Sequence, residues 1–268
     1  QAGFTKIHLD ASMACKGENT PSFEEVARRT SELCMVAEKY APDLDSICYV
    51  IGTEVPIPGG ETETIDTLQV TSPDRLDRTI ETHIQAFKEK NLQAALSRIV
   101  SVVVQPGVDF SHTAVTQYSK SSAKKLVDQL SKYKDIAFEA HSTDYQQTTG
   151  LANLVADHHL FLKVGPELTF ALREALFLLA KIEDELFKDK ASNLIQVVFK
   201  TMDNNPKDWI NYYHGSIDEQ QFLKHYSYSD RIRYYWDHPD VNSAINKMIK
   251  NLDNVDIPEF VISQFFGI

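Results

Sequence analysis

The stretch that decides the fold is Phe138-Glu139-Ala140-His141-Ser142-Thr143-Asp144-Tyr145, and a second stretch repeats its pattern at Leu160-Phe161-Leu162-Lys163-Val164-Gly165-Pro166-Glu167-Leu168-Thr169. Each begins as a short apolar run, ends in polar residues and precedes a helical pattern. This order is typical of a strand in a parallel sheet whose carboxyl end carries a site. We therefore expect the polar residues that end the two runs to lie at one rim of the sheet.

Three earlier apolar runs follow the same scheme, at residues 4–9, 46–55 and 99–107. The third run is almost entirely β-branched, which is typical of a strand buried on both faces. Helical patterns separate the runs, at residues 21–40, 72–90, 92–98, 121–133, 145–157 and 166–188. This alternation predicts an α/β fold with parallel strands and right-handed crossovers.

Two architectures fit the alternation, an open doubly wound sheet and a closed (β/α)8 TIM barrel. We find no glycine-rich dinucleotide loop after any of these strands, which weakens the first. About five strand–helix units cannot close an eight-unit barrel, so the second requires about three more units. Because the first run starts at Phe4, we expect those units to precede Gln1.

The composition changes after residue 190. Helical patterns at residues 193–202 and 240–252 flank aromatic runs at residues 209–213 and 226–236, the second of which also contains Arg231 and Arg233. The sequence predicts a barrel part over residues 1–190 and a helical extension over residues 191–268 that packs on it. The aromatic run with its arginines is interpreted either as an interaction surface or as a packed helix with cation–π contacts.

Charge and composition exclude several classes of partner. A net charge of −11 argues against nucleic acid and anionic membranes as partners. No apolar run approaches the roughly 20 residues that span a bilayer. The three cysteines form an odd number, which predicts free thiols and a reducing, cytoplasmic location.

Gly165-Pro166 carries the clearest mechanistic pattern. A strand ends, glycine allows close approach of the backbone, and proline suits the first helical position, so the amides that follow could bind an anion with help from Lys163. The alternative is an ordinary strand–helix turn.

Other polar residues at the predicted strand ends could carry chemistry. His141, followed by Ser142 and Asp144, is interpreted as a metal ligand with orienting partners or as a hydrogen-bonded histidine. Asp10 and Glu54 each end a strand and could act as general acid or base, or form ion pairs. His8 lies within the first strand, where we expect it to be buried without a ligand role.

Several strings together resemble one family, the non-catalytic Z-type subunit of class II D-tagatose-1,6-bisphosphate aldolase. They occupy residues 6–13, 49–56, 58–61, 104–107, 138–146, 163–176 and 228–236. The resemblance covers nearly the whole chain, and family members are longer at the N-terminus. The family has also been called tagatose-6-phosphate kinase, but no Gly-x-x-x-x-Gly-Lys loop is present in the sequence, and we discount that name.

The resemblance implies a TIM barrel whose strands four to eight end at Asp10, Glu54, Gln105, His141 and Lys163. Class II aldolases bind Zn²⁺ with histidines on strands three, six and seven, so Gln105 replaces one of them, and zinc would be held by His141 in an incomplete site. The implied phosphate or substrate residues are His141, Ser142, Asp144, Lys163, Gly165 and Thr169. The implied function is that of an accessory subunit without aldolase activity of its own, bound to a catalytic subunit and a phosphorylated ketose. The alternative is an autonomous metal-dependent aldolase or sugar-phosphate isomerase.

Overall fold

The computed structural model describes residues 3–53, 68–253 and 255–267. The chain forms two compact units. The first comprises Gln1–Ser111 and Val115–Val164, and the second comprises His112–Ala114 and Gly165–Ile268. The first helix after Gly165 belongs to the second unit because it shares a core with the later helices, whereas the sequence predicted a boundary after residue 190.

The first unit is an α/β unit built on a parallel five-stranded sheet, as predicted. Its long strands are β1 (Lys6–His8), β2 (Cys48–Ile51), β3 (Ile99–Val104), β6 (Ala137–Ala140) and β7 (His159–Leu162). A two-stranded antiparallel ribbon, β4 (Asp109–Phe110) and β5 (Val115–Thr116), was not predicted. The helices are α1 (Phe23–Tyr40), α2 (Pro73–Glu89), α3 (Gln93–Leu96), α4 (Lys120–Leu130) and α5 (Thr148–Ala156).

The order of the strands decides between the two predicted architectures. The sheet runs β1-β2-β3-β6-β7, in chain order and without the reversal that creates the crevice of a doubly wound sheet. The sheet is also curled, since Lys6 of β1 contacts Glu139 of β6 and Phe161 of β7 across the strands between them. Register shifts within β2–β3 and β6–β7 favour this curvature, since such irregularities increase local twist. The first unit is therefore an α/β unit with a curled, half-barrel sheet of five parallel strands.

The two faces of the curled sheet differ in chemistry. Its convex face packs against the helices through a core that includes Tyr49, Ile80, Val102 and Phe138, all fully buried. Neighbouring residues on the same strands alternate to the concave face, where Lys6 and His8 of β1 meet Glu139 of β6. The core thus fixes the strands and leaves their inner side chains available for a site.

The second unit is helical in the part that the structure describes. Its helices are α6 (Pro166–Phe187), α7 (Leu194–Asn204), α8 (Ile217–Tyr226), α9 (Pro239–Leu252) and α10 (Glu259–Phe266). Their core includes Val198, Met202, Tyr213 and Met248. The aromatic run makes the cation–π contacts of one of its two interpretations: Arg231, in a short 3-10 turn at Arg231–Tyr234, lies 3.4 Å from the centre of the Tyr212 ring.

Across the ranges that the structure covers, none of the helices combines the length and apolar character needed to cross a bilayer. Cys15, Cys34 and Cys48 are all free thiols, and Cys34 is buried.

Two buried histidines of the first unit predict a pH dependence. His83 and His159 are fully buried, and burial lowers the pKa of each to about 4. Each ring contacts a backbone carbonyl through Nδ1 and has no hydrogen-bond partner at Nε2 among the described residues. The folded protein is most stable towards unfolding above pH 6.5, where both histidines are neutral in the folded and the unfolded state. As the pH falls from 6.5 towards 4, the unfolded state takes up protons on these histidines before the folded state does, and stability is lost.

We expect the free energy of unfolding to be lower at pH 5 than at pH 8 by about 2 kcal/mol for each of these histidines. Urea unfolding at the two pH values measures this difference. His83→Leu should reduce the difference, whereas Gln85→Leu, a change at an exposed and uncharged position of the same helix, should leave it unchanged. Equal pH dependence in all three proteins would contradict the argument.

Candidate functional site

The concave face of the curled sheet gathers five side chains towards the carboxyl ends of its strands. We call them the interior cluster, and its members are Lys6, His8, Glu139, His141 and Lys163. His141 and Lys163 were predicted to share a rim, and they do lie together. The cluster lies entirely within the first unit.

Glu139 is the centre of the cluster, and its side chain is completely buried. Lys6 Nζ lies 2.5 Å from Glu139 Oε2. The other oxygen, Oε1, lies 3.0 Å from His141 Nε2, 3.5 Å from Lys163 Nζ and 3.7 Å from His8 Nδ1. One carboxylate thus faces two ammonium groups and two imidazoles.

Contacts between distant strands show how the sheet brings these groups together. In a flat sheet, β1 and β7 would lie roughly 19 Å apart, since four strand spacings separate them. Yet Lys163 Nζ, directly after β7, is 3.2 Å from His8 Nδ1 of β1. The rings of His8 and His141 meet edge to face with centroids 5.5 Å apart. Curvature, rather than proximity in sequence, builds the cluster.

The backbone around Lys163 is held in place by its neighbours. Its amide donates to the carbonyl of Ala140, which extends the pairing of β6 and β7. Thr143 donates to the Lys163 carbonyl from both its amide, at 3.1 Å, and its hydroxyl, at 2.9 Å. The ammonium itself stays partly accessible, because 45% of the Lys163 side chain is exposed.

The cluster shifts the ionisation of two members. Burial alone would raise the pKa of Glu139, but hydrogen bonds from His141 and Lys6 and the charge of Lys6 lower it to about 2. Burial and the adjacent Lys163 charge lower the pKa of His8 to about 4. At neutral pH, Glu139 is therefore an anion and His8 is neutral.

The remaining predicted residues of the first unit lie in different settings. Asp10 is exposed and accepts hydrogen bonds from the amide and hydroxyl of Ser12, at 3.1 and 2.8 Å. Ser142 follows the cluster with a left-handed φ of 52°, and Asp144 is buried. Glu54 lies outside the described residues.

Gly165 and Thr169 belong to the second unit, where α6 begins at Pro166 as predicted. The amide of Leu168 already donates to the Gly165 carbonyl, at 3.2 Å. A Cβ at Gly165 would meet nothing within 4 Å, so packing within the chain does not require glycine there, and close approach of an anion stays a prediction. The Thr169 hydroxyl donates to Asp230, at 2.5 Å.

Sequence reasoning missed three members of the cluster, Lys6, His8 and Glu139. Two signals could have found them. Lys6 and His8 are two residues apart on one strand and so share a face, as do Glu139 and His141. A carboxylate between Phe138 and Ala140 also needs partners, because burying an isolated charge is costly.

The class II resemblance implies a zinc ion, and the cluster supplies a donor set that fits one. His8, Glu139 and His141 each offer an atom within 4.8 Å of the others, and no other group of three such residues in the described ranges does so. Atoms that share a tetrahedral Zn²⁺ lie roughly 3.3 Å apart, and the measured 3.0 and 3.7 Å bracket that value. Beside His141, the structure thus places a second imidazole, that of His8, which the sequence did not assign to the predicted incomplete zinc site.

Comparison with known proteins identifies the family. All of residues 1–268 match the family model described as D-tagatose-1,6-bisphosphate aldolase subunit GatZ/KbaZ-like. The chain belongs to this GatZ/KbaZ-like family. The resemblance that was based on the sequence strings is thereby confirmed.

Individual members of the GatZ/KbaZ-like family agree with this assignment. The D-tagatose-1,6-bisphosphate aldolase subunits GatZ of Salmonella paratyphi B and Salmonella typhimurium are each 47% identical to it, over 100% of this chain and 64% of their own length. A crystal structure described as a probable tagatose 6 phosphate kinase from Sinorhizobium meliloti 1021 superposes with a TM-score of 0.88 at 44% identity, covering 99% of this chain and 65% of that one. The chain thus spans 64% of the length of these curated relatives.

Proposed function

We propose that the chain is part of the non-catalytic subunit of a class II tagatose-1,6-bisphosphate aldolase. In this role it sustains the activity and stability of a separate catalytic subunit in the cytoplasm, during catabolism of galactitol, N-acetylgalactosamine and tagatose 6-phosphate. The curled sheet then contributes strands four to eight of a complete (β/α)8 barrel. The family assignment and the names of the relatives support this proposal.

The observation that carries the non-catalytic role is the pairing of Glu139 with two lysines. A zinc-dependent aldolase needs a metal with open coordination, which polarises a carbonyl. Here Lys6 and Lys163 both approach the carboxylate, at 2.5 and 3.5 Å. The ammonium groups compete with a metal for this carboxylate, so the cluster as arranged opposes metal-based aldol chemistry.

Gln105 supports the same proposal, since the resemblance implies that it replaces a histidine of class II aldolases. Its side-chain oxygen accepts hydrogen bonds from the amides of Gly107 and Val108, at 2.8 and 3.0 Å. Its amide side chain therefore stabilises the turn after β3. This residue acts as a turn residue rather than a ligand.

The same cluster suits a phosphorylated ketose. Within the interior cluster, Lys6 and Lys163 outnumber the single carboxylate of Glu139, and these two cations favour a phosphate. We propose that Lys163 and His141 contact the sugar phosphate, with Ser142 and Asp144 beside them. Roles for Gly165, Thr169, Asp10 and Glu54 stay predictions from the sequence.

A reconstitution experiment tests the proposed function. The full-length protein and the catalytic subunit are purified separately and assayed alone and together for cleavage of tagatose 1,6-bisphosphate. We expect no turnover by the full-length protein alone. We expect the mixture to exceed the catalytic subunit by about tenfold or more, about 1.4 kcal/mol in the barrier, with a higher melting temperature. Metal-supplemented turnover by the lone protein would contradict the proposal.

That last outcome would favour the second candidate, an autonomous metal-dependent ketose-bisphosphate aldolase or sugar-phosphate isomerase. The observation in its favour is the donor set of His8, Glu139 and His141. If bound there, a metal would polarise the carbonyl of the sugar. Loss of both metal and turnover in His141→Ala would establish this candidate instead.

A further inference from the structure

The interior cluster holds three potential ligands in fixed positions. His8 is the last residue of β1. Glu139 lies on β6, and His141 is the first residue after that strand. Lys6 contacts Oε2 of Glu139 and leaves Oε1 facing both imidazoles. Contacts of this kind orient a carboxylate so that its other oxygen can serve as a ligand.

Lys163 is the group that faces this donor set. Its ammonium lies 3.2 Å from His8 Nδ1 and 3.5 Å from Glu139 Oε1, which are two of the three donor atoms. It therefore contacts the same atoms that a bound metal ion would contact. The Lys163 side chain is 45% exposed, so its ammonium can return to water by rotation of a flexible stem.

We infer that His8, Glu139 and His141 form a divalent-metal site that the Lys163 ammonium guards by occupying the cation position. A divalent ion must displace this ammonium before it can contact all three donors. The inference concerns metal binding alone, and it stands whether or not the chain is an aldolase subunit. A ligand that binds the Lys163 ammonium, such as a phosphate, would move it away from His8 and Glu139 and leave their donor atoms accessible to a metal ion.

Metal titration of the full-length protein tests this inference. The probes are Co²⁺, whose absorption spectrum reports its ligands, and Zn²⁺ followed by calorimetry. We expect Lys163→Met to bind one ion per chain about tenfold or more tightly than the unaltered protein, about 1.4 kcal/mol. Lys163→Arg keeps a charge at this position and should bind like the unaltered protein.

Two controls separate this site from unspecific binding. Lys124→Met removes an exposed lysine of α4 that pairs with Asp128, and it should leave the affinity unchanged. Adding His141→Ala to Lys163→Met should abolish the gain and change the Co²⁺ spectrum. Unchanged affinity in a folded Lys163→Met protein, or a gain that survives loss of His141, would overturn the inference and leave the cluster as an internal ion pair.

Discussion

Replacing Arg173 with methionine should lower the free energy of unfolding by about 3–5 kcal/mol. Arg173 Nη1 lies 2.9 Å from Asp230 Oδ1, and the two side chains are 4% and 0% exposed. The guanidinium also lies 4.0 Å from the centre of the Phe170 ring. Methionine keeps much of the volume of the arginine side chain but removes its charge. Asp230 is then a buried carboxylate that keeps the hydrogen bond from Thr169 and loses its ion pair with Arg173.

Asp230 is already difficult to ionise. Burial raises its pKa, although the hydrogen bond from Thr169 and the charge of Arg173 oppose this effect. Without the arginine, the carboxyl group must take up a proton or remain poorly compensated, and both are unfavourable at neutral pH. The loss should therefore be larger at pH 8 than at pH 5.

Urea unfolding followed by circular dichroism measures the loss. Arg28→Met is the matched control, because Arg28 is 49% exposed and pairs with Glu25 and Glu32 on the surface of α1. It should cost far less than Arg173→Met, because exposed ion pairs stabilise little. Adding Asp230→Asn to Arg173→Met should recover part of the stability. Equal losses in the two methionine variants would show that the buried pair is not stabilising.

Local patterns predicted most of the elements of the first unit, for reasons that particular residues illustrate. The β-branched run of β3 predicts a buried strand, because β-branched residues favour the extended backbone and pack well in a sheet. Ser22 and Ser72 accept hydrogen bonds from the third residue of the helices that follow, as expected of N-cap residues. α8 was missed, although Ser216 and Glu219 form a capping box that marks its start.

The site was harder to predict than the strands because it depends on curvature. The position of His8 in its strand is readable from the sequence, but its distance from Lys163 is not. Each strand pattern specifies which residues share a face, whereas the angle between strands depends on how the whole convex core packs. For this reason the sequence could place His141 and Lys163 at strand ends, but it could not show that His8 of β1 meets both of them.

Phe138 connects the core to the site, since it precedes Glu139 on the same strand and points to the opposite face. It is fully buried, its ring lies 5.0 Å from that of His159, and it packs in the convex core. The register shift of β6 against β7 falls between Phe138 and Glu139. Packing of Phe138 therefore holds the strand at the point where the carboxylate turns inward.

Phe138→Ala should lower the free energy of unfolding by about 3–5 kcal/mol, because it removes a large buried ring and leaves a cavity. Phe138→Leu should cost less, since it keeps more of the volume. Leu160→Ala on β7 is the control, because Leu160 is 65% exposed and should cost little. Urea unfolding gives these values, and Co²⁺ titration in the Lys163→Met background reports on the cluster. If packing of Phe138 positions Glu139, Phe138→Ala should weaken Co²⁺ binding while Leu160→Ala does not. Unchanged metal affinity alongside a large loss of stability would mean that the core holds the fold but not the geometry of the cluster.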